Sequence, residues 1–521
     1  MTTERRKKVL LGTSSGYLST LITNLLSVVA VPVTLGYFGV DRYGALALVM
    51  TLVNYLSITN FGIPTACSIL AAKSLDRREQ LAIVGRSFLL LAGISMVVLA
   101  LFLGVSTLPG WERVLGEIPQ GIAQEVRRAA FWTAVLFLLN LLAAPFLAGF
   151  IAMQKVHVER FYATITTNSY VVALLATILL KGDLAYYAVA RGGLVLLCSA
   201  FGALHFLFGY RENRRIIGEG VVRLLRAAPA AEFGNRAILA SGFRLFIVGT
   251  AALLVWQTDN LVISHYLGVG AVTPYQVTFK LITMAFIVFT AVNPAISPHY
   301  GQAWARGDSA WITGTYNQIA RVSAILGGLV WIGSLAFCEA IIDLWAGHAA
   351  YAGPLTVFAL GGYGYLLSLV SVHAALLTSL NQVRNLPYIS WMEAGTNLAL
   401  SLILVRVLGM GGVALGTFLA SVLTVFWLIP REIGIRTDGR VTLEWRPLAR
   451  QFGMLILPVL AGVLLADRFI PALLPRLAVN LALICGYLGL SYLRLPDDIK
   501  RLLGELTAKP LAGLNRKGEA K

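Results

Sequence analysis

Charge is scarce in this sequence: Asp, Glu, Lys and Arg together make up 13% of 521 residues, against about 25% in ordinary soluble domains. Read as water-soluble, a chain this long would form about three or four domains, and so few charges cannot coat their surfaces. A soluble globule is excluded. Cysteine is nearly absent too. Cys67, Cys198, Cys338 and Cys485 stand singly in or beside apolar runs with no C-x-x-C spacing, so neither a disulfide framework nor a zinc site is suggested and they read as small packing residues. His205, His265, His299 and His373 are dispersed without H-E-x-x-H or paired spacing, so no metal is expected. Enzyme motifs are missing as well: no Asp-x-Asp, no P-loop, no G-x-S-x-G, and no outer loop longer than about twenty residues to hold a catalytic domain. Gly409-Met410-Gly411-Gly412 has no preceding strand and reads as a tight turn rather than a phosphate cradle.

What is abundant is apolar sequence: 57% of the residues are hydrophobic and the mean hydropathy is +0.76. Cutting at polar or Gly/Pro-rich breaks leaves segments near 10–35, 43–66, 87–107, 129–153, 162–180, 184–208, 239–265, 274–297, 319–337, 355–379, 388–405, 412–429, 451–466 and 477–493. Each is long enough to cross about 30 Å of hydrocarbon as a helix, so the sequence predicts an all-α integral membrane protein with about fourteen transmembrane helices. The first run follows Arg5-Arg6-Lys7-Lys8 and lacks a small-residue cleavage site, which predicts a retained helix rather than a signal peptide. With an even number of crossings, both termini fall on one side. The segments on that side carry 32 basic residues against 15 acids, and the opposite loops eight against eight. The whole net charge of +17 therefore sits on one face, which predicts that both termini are cytoplasmic.

A pI near 9.9 does not imply nucleic acid here, because the basic residues are scattered over short loops between membrane helices. Two stretches are better organised. Ile217, Val221, Leu224 and Leu225 share one helical face opposite Arg214, Arg215, Arg223 and Arg226. Ile499, Leu502, Leu503 and Leu506 repeat the pattern after Asp497-Asp498. Both are expected to lie in the interface plane against anionic lipid.

The chain also resembles itself. Tyr37-Phe38-Gly39-Val40 matches Tyr266-Leu267-Gly268-Val269, Thr167-Asn168 matches Thr396-Asn397, and Pro64 matches Pro294, at offsets of 229 to 230. Segments one to six are thus expected to recur as seven to twelve in the same orientation, two six-helix lobes about an axis along the membrane normal with a substrate path between them. The expected organisation is an amino-terminal lobe at 1–208, an amphipathic linker at 209–238, a second lobe at 239–430, two extra helices within 431–494 and a tail at 495–521. Pro32, Pro64, Pro145, Pro294 and Pro458 each delete a backbone hydrogen bond and are expected to kink their helices.

Gly36-Tyr37-Phe38-Gly39 through Tyr43-Gly44, Asn60-Phe61-Gly62-Ile63-Pro64 and Ala72-Lys73-Ser74-Leu75 resemble the polysaccharide flippases. Gln154-Lys155, Asn381-Gln382, and Asn397 running to Leu408-Gly409-Met410-Gly411-Gly412-Val413-Ala414 are similar to the same family, part of the multidrug/oligosaccharidyl-lipid/polysaccharide exporter superfamily. The resemblance covers about residues 10–430. It implies two lobes in a V around a central cavity and movement of undecaprenyl-diphosphate-linked oligosaccharide from inner to outer leaflet by alternating access. It also implies a place in the bacterial cytoplasmic (inner) membrane, in synthesis of surface polysaccharide such as O-antigen, lipopolysaccharide or exopolysaccharide. Membrane lipids and other polysaccharide-assembly proteins are the further partners it suggests. The last two segments are similar to the extra pair of lipid II flippases, which help form a groove for the lipid tail. With no ATP motif and no cofactor, transport would be driven by a gradient of H+ or Na+ or of the substrate. A cation-coupled multidrug exporter and a lipid II flippase are the alternatives within the superfamily. A membrane glycan polymerase or glycosyltransferase would be expected to show the large outer loop that this sequence lacks.

Four charges stand inside apolar segments: Arg191, Asp259, Lys280 and Glu393. Counting at 1.5 Å per residue places Arg191, Asp259 and Lys280 roughly 9–10 Å below the outer ends of their helices. Two readings stand open. Arg191 and Lys280 line a cationic layer that receives a diphosphate, or Asp259 and Lys280 form a buried pair that locks two helices while Arg191 snorkels. Glu393 is a candidate proton or cation site or a surface acid. Gln257, Asn260 and Asn293 add amides for sugar hydroxyls or for bonds between helices.

Overall fold

The computed structural model describes residues 3–74, 76–220, 233–285, 296–297, 299–495 and 500, and all regular structure among them is helical. The helices are α1 Thr3–Leu56, α2 Ile63–Lys73, α3 Arg77–Ser106, α4 Gln120–Leu141, α5 Ala144–Ala152, α6 Val156–Leu179, α7 Leu184–Phe208, α8 Arg211–Gly218, α9 Asn235–Leu267, α10 Val272–Ala285 and α11 Ser309–Trp345. They continue as α12 Pro354–Ser379, α13 Leu386–Leu423, α14 Val425–Arg436, α15 Trp445–Gln451, α16 Leu457–Phe469 and α17 Leu473–Leu493. Helix is the form that a lipid-immersed chain takes because each backbone N–H finds its acceptor within its own segment.

Among the described residues, eleven helices are long and apolar enough to cross a membrane. They differ from the fourteen segments of the sequence at three places. α1 and α13 each run continuously through two of those segments, broken at Gly39 (φ 76°, ψ 176°) and at Gly409 (φ 59°, ψ −139°). Both are left-handed conformations that glycine adopts without a Cβ penalty. The eighth segment begins as α10 and continues into residues outside the described set.

Proline behaves differently from expectation. Pro64 and Pro145 do not kink continuous helices but sit in the first turns of α2 and α5, where the missing N–H would have no intrahelical partner anyway, whereas Pro458, in the first turn of α16, follows directly on a π-turn that continues α15. Pro32 lies inside α1, and Pro294 is outside the described residues.

Packing divides the chain into two units, one of 1–279, 342–352 and 384–420 and the other of 280–341, 353–383 and 421–521. These units cut across the halves drawn from the sequence repeat. In the first unit, Asn60 Oδ1 accepts the Gly62 N–H at 2.7 Å and Gly62 takes φ 68°. A Cβ there would collide with the Gly242 carbonyl of α9, so the Asn60-Phe61-Gly62 turn exists to let two backbones touch. Below it, Ile63, Cys67, Leu81, Phe150 and Phe206 pack in a closed core, with the Phe206 ring seated on Gly149. The four cysteines are free thiols.

Backbone geometry also repeats along the chain. Left-handed residues recur as Gly39 and Gly268, Gly116 and Gly347, Gln154 and Asn381, and Lys181 and Gly409, separated by 229, 231, 227 and 228 positions. The first of these turns pack on each other. Thr273 Oγ1 donates to the Val40 carbonyl at 2.6 Å, and Gly44 lies against the Val269 carbonyl.

In the second unit, α11 is gripped by α12 and α17. Tyr316 OH and His373 Nδ1 are 2.8 Å apart, Tyr487 OH donates to the Ile325 carbonyl at 2.7 Å, and Asn480 Nδ2 to the Ala336 carbonyl at 3.2 Å. Between α15 and α16 the chain makes a π-turn at Phe452–Ile456. Pro458 explains it, since proline cannot donate to the carbonyl four residues back and the ladder widens. Of the two expected interfacial helices, the described part of the first is α8, with Ile216 buried and Arg214 and Arg215 exposed. Its remainder from Val221 to Arg226, and Ile499, Leu502, Leu503 and Leu506 of the second, lie outside the described residues.

Candidate functional site

The first unit holds a buried carboxylate. Asp259 on α9 is 4% exposed, and burying a carboxylate is costly without partners. Its Oδ2 accepts from Tyr275 OH of α10 at 2.5 Å and from Thr417 Oγ1 of α13 at 2.8 Å. Thr417 Oγ1 in turn accepts from Asn397 Nδ2 at 2.7 Å. Asn397 and Thr417 stand on opposite arms of α13, brought together by the break at Gly409. The arms close tightly because Gly412 lies against the Leu404 carbonyl and Gly416 against Ser401. Ser401 Oγ adds a contact to the Val413 carbonyl at 3.4 Å. Two oxygens of this cluster, Asp259 Oδ1 and Asn397 Oδ1, are buried with no hydrogen-bond partner. A buried cluster of carboxylate, amide and hydroxyl oxygens with two acceptors left over suits a hard cation or a proton.

One residue along, the amides serve the packing of helices. Asn260 Nδ2 donates to Thr51 Oγ1 of α1 at 2.9 Å and its Oδ1 accepts from Gln276 Nε2 of α10 at 2.5 Å. Thr51 Oγ1 lies 3.3 Å from Gln257 Oε1, and Tyr55 OH is 3.1 Å from Thr258 Oγ1. α1, α9 and α10 are thereby tied by a chain of polar side chains, the usual use of amides between membrane helices.

Arg191 of α7 is elsewhere in the same unit, on the wall of a cavity of about 230 Å³ shared with Met50, Thr133, Asn140 and Thr166. Its guanidinium donates to the Met50 sulfur. Thr133 Oγ1 and Asn140 Oδ1 are buried there without partners, so the cavity presents one cation, a carbonyl and hydroxyls. It is smaller than the roughly 300–1,000 Å³ of sites for drug-sized ligands. Lys280 opens the second unit on α10, half-buried, its carbonyl accepting from Thr283 Oγ1 at 3.1 Å. Glu393 is half-buried on the first arm of α13. Asn293 lies outside the described residues.

Tyr275, Asn397, Ser401 and Thr417 are the site residues that a search for intramembrane charge passes over, being neutral. The internal repeat held a signal for one of them. Asn168, the counterpart of Asn397, likewise donates to a threonine hydroxyl, Thr23 Oγ1 at 3.0 Å, and likewise leaves its Oδ1 without a partner.

A family model described as polysaccharide biosynthesis protein matches residues 9–304. A protein of Salmonella typhimurium named "Putative O-antigen transporter" is 28% identical over 204 residues, 38% of this chain and 46% of the relative. One of the same name from Salmonella typhi is 27% identical over 199 residues, 37% and 44%. The chain spans about half the length of the curated relatives it matches. Among solved structures, the lipid II flippase MurJ in an inward closed conformation aligns at a TM-score of 0.65 and 13% identity, over 91% of this chain and 98% of that one. An inward-facing multidrug resistance MATE family transporter of the MOP superfamily aligns at 0.65 and 14% identity, over 81% and 95%. The likeness is one of fold: an all-helical membrane architecture of the MOP-superfamily kind.

Proposed function

The chain belongs to the polysaccharide biosynthesis protein family, and from that premise we propose that it is a secondary transporter of a lipid-linked oligosaccharide and not an enzyme. It carries undecaprenyl-diphosphate-linked glycan from the inner to the outer leaflet of the bacterial cytoplasmic membrane by alternating access, with both termini cytoplasmic. The observation that carries this reading is the Arg191 cavity, where a guanidinium stands beside the unpartnered Asn140 carbonyl and Thr133 hydroxyl. A diphosphate concentrates negative charge, and an arginine in a poorly hydrated wall binds it through paired N–H donors. The neighbouring amide and hydroxyls are the chemistry of sugar recognition. An exporter of organic cations would be expected to present an acidic or aromatic surface instead.

The Asp259 cluster supplies the driving ion in this reading. Two unpartnered oxygens favour Na+, which takes several oxygen ligands, over a proton, which one acceptor satisfies. The ion would cancel the buried charge and draw the arms of α13 onto α9 and α10. The test is genetic. Deleting the gene should make undecaprenyl-linked repeat units accumulate on the cytoplasmic leaflet, wild type should clear them, and Arg191→Gln at normal abundance should not. Arg191→Lys should clear them partly, keeping charge but losing the two-pronged geometry. Full clearance by Arg191→Gln would end the reading of that cavity.

A further inference from the structure

The second unit contains a pocket that the transport reading leaves unused. It has a volume of about 450 Å³ and lies where α11, α15, the π-turn and the end of α17 converge, walled by Arg321, Arg446, Arg450 and Arg494 together with Gln451 and Ser491. Among the described residues, none in its lining is acidic. Arg321 is held by Glu444 Oε2 at 2.5 Å, but among the described residues Arg446, Arg450 and Arg494 make no ion pair. Asp497 and Asp498, which follow in sequence, lie outside the described residues. Two polar atoms of the lining residues are buried with no partner, Arg321 Nε and Ser491 Oγ, and Ser491 is 2% exposed. Four arginines lining one pocket, with two unused polar groups among the lining residues, describe an anion site.

Its position says which anion. Arg446 and Arg450 begin, and Arg494 ends, apolar helices on the side of the chain that carries the basic excess. Trp445, next to Arg446 in the chain, meets Trp427 at a tilt with ring centroids 4.9 Å apart, and tryptophan marks the level of the headgroups. The rest of the wall is apolar, with Ile325, Pro447, Leu455 and Leu495. A pocket with one charged side and one greasy side at headgroup depth takes an amphiphile. We propose that this pocket binds the phosphate headgroup of an anionic phospholipid of the cytoplasmic leaflet. The π-turn belongs to the design, because Gln451 and Leu455 at its two ends both line the pocket and Pro458 widens the helix between them.

The site is independent of the Arg191 cavity, and its test reads binding rather than transport. The full chain is purified, and native mass spectrometry counts retained lipid against phosphatidylglycerol, phosphatidylethanolamine, undecaprenyl diphosphate and inorganic phosphate in turn. Phosphatidylglycerol should be retained at least tenfold more tightly than phosphatidylethanolamine, and the double variant Arg446→Gln with Arg450→Gln should lose that preference. Thermal unfolding of the variant in detergent should match wild type, because among the described residues neither arginine is in an ion pair and Arg450 Nε makes a long 3.4 Å contact to the Met454 sulfur. If it unfolds early, Arg446→Lys with Arg450→Lys replaces it and should keep part of the preference. Equal retention of the two phospholipids, or an unchanged preference in the variant, overturns the proposal. Tighter capture of undecaprenyl diphosphate that displaces phosphatidylglycerol would assign the pocket to the substrate and also overturn it. So would saturation by inorganic phosphate alone, which would make it a plain anion site.

Discussion

Replacing Thr417 with valine removes one oxygen and almost no volume, so it tests the Asp259 cluster without opening a cavity. Three contacts go: the donation to Asp259 Oδ2 at 2.8 Å, a longer one to the Val413 carbonyl at 3.3 Å, and the acceptance from Asn397 at 2.7 Å. A hydrogen bond to a charged group is worth about 1.5–3 kcal/mol, and a buried donor left unpaired costs about 1–3 kcal/mol. The two overlap because they share one oxygen, so the loss should total about 2–4 kcal/mol. If half of that appears in ion binding, the affinity falls about fivefold to thirtyfold at 1.4 kcal/mol per decade. The assay is thermal unfolding of the purified chain in rising NaCl, with choline chloride holding ionic strength constant. Wild type should gain stability with Na+, Thr417→Val should need more Na+ for the same gain, Thr417→Ser should stay near wild type, and Asp259→Asn should show no gain. A Na+ response in Asp259→Asn equal to wild type, or no shift in Thr417→Val, would refute the oxygen cluster as an ion site.

Two further outcomes are expected. A cysteine placed at Gly220 in a background lacking the four native cysteines should escape an impermeant external thiol reagent in intact cells, and labelling there would invert the assigned sidedness. Gly39→Ala and Gly409→Ala should each lower stability by about 1–2 kcal/mol, the cost of a left-handed turn in a residue with a Cβ. Gly62→Ala should lose more because its Cβ also meets the Gly242 carbonyl, while Gly36→Ala, in open space, should be neutral by thermal unfolding.

Membrane residence and helical class were legible in the residues themselves, because hydrocarbon forces every backbone group to pair within its helix. One pair matched in the sequence, Gly39 and Gly268, takes the same left-handed turn, which only glycine does cheaply. Depth counting found Asp259 as a buried charge but not its neighbours. Tyr275, Asn397 and Thr417 are neutral and ordinary in sequence; Tyr275 reaches the carboxylate from α10, and Thr417, backed by Asn397, reaches it with both arms of α13 folded together at Gly409. The four arginines of the second pocket lie up to 173 residues apart along the chain, from Arg321 to Arg494, and counted in the sequence only as part of a scattered basic excess. A charge count records composition, which the sequence states outright. Which charges share a wall depends on close helix contacts such as Gly328 against Tyr487, and these exist only once the chain is packed.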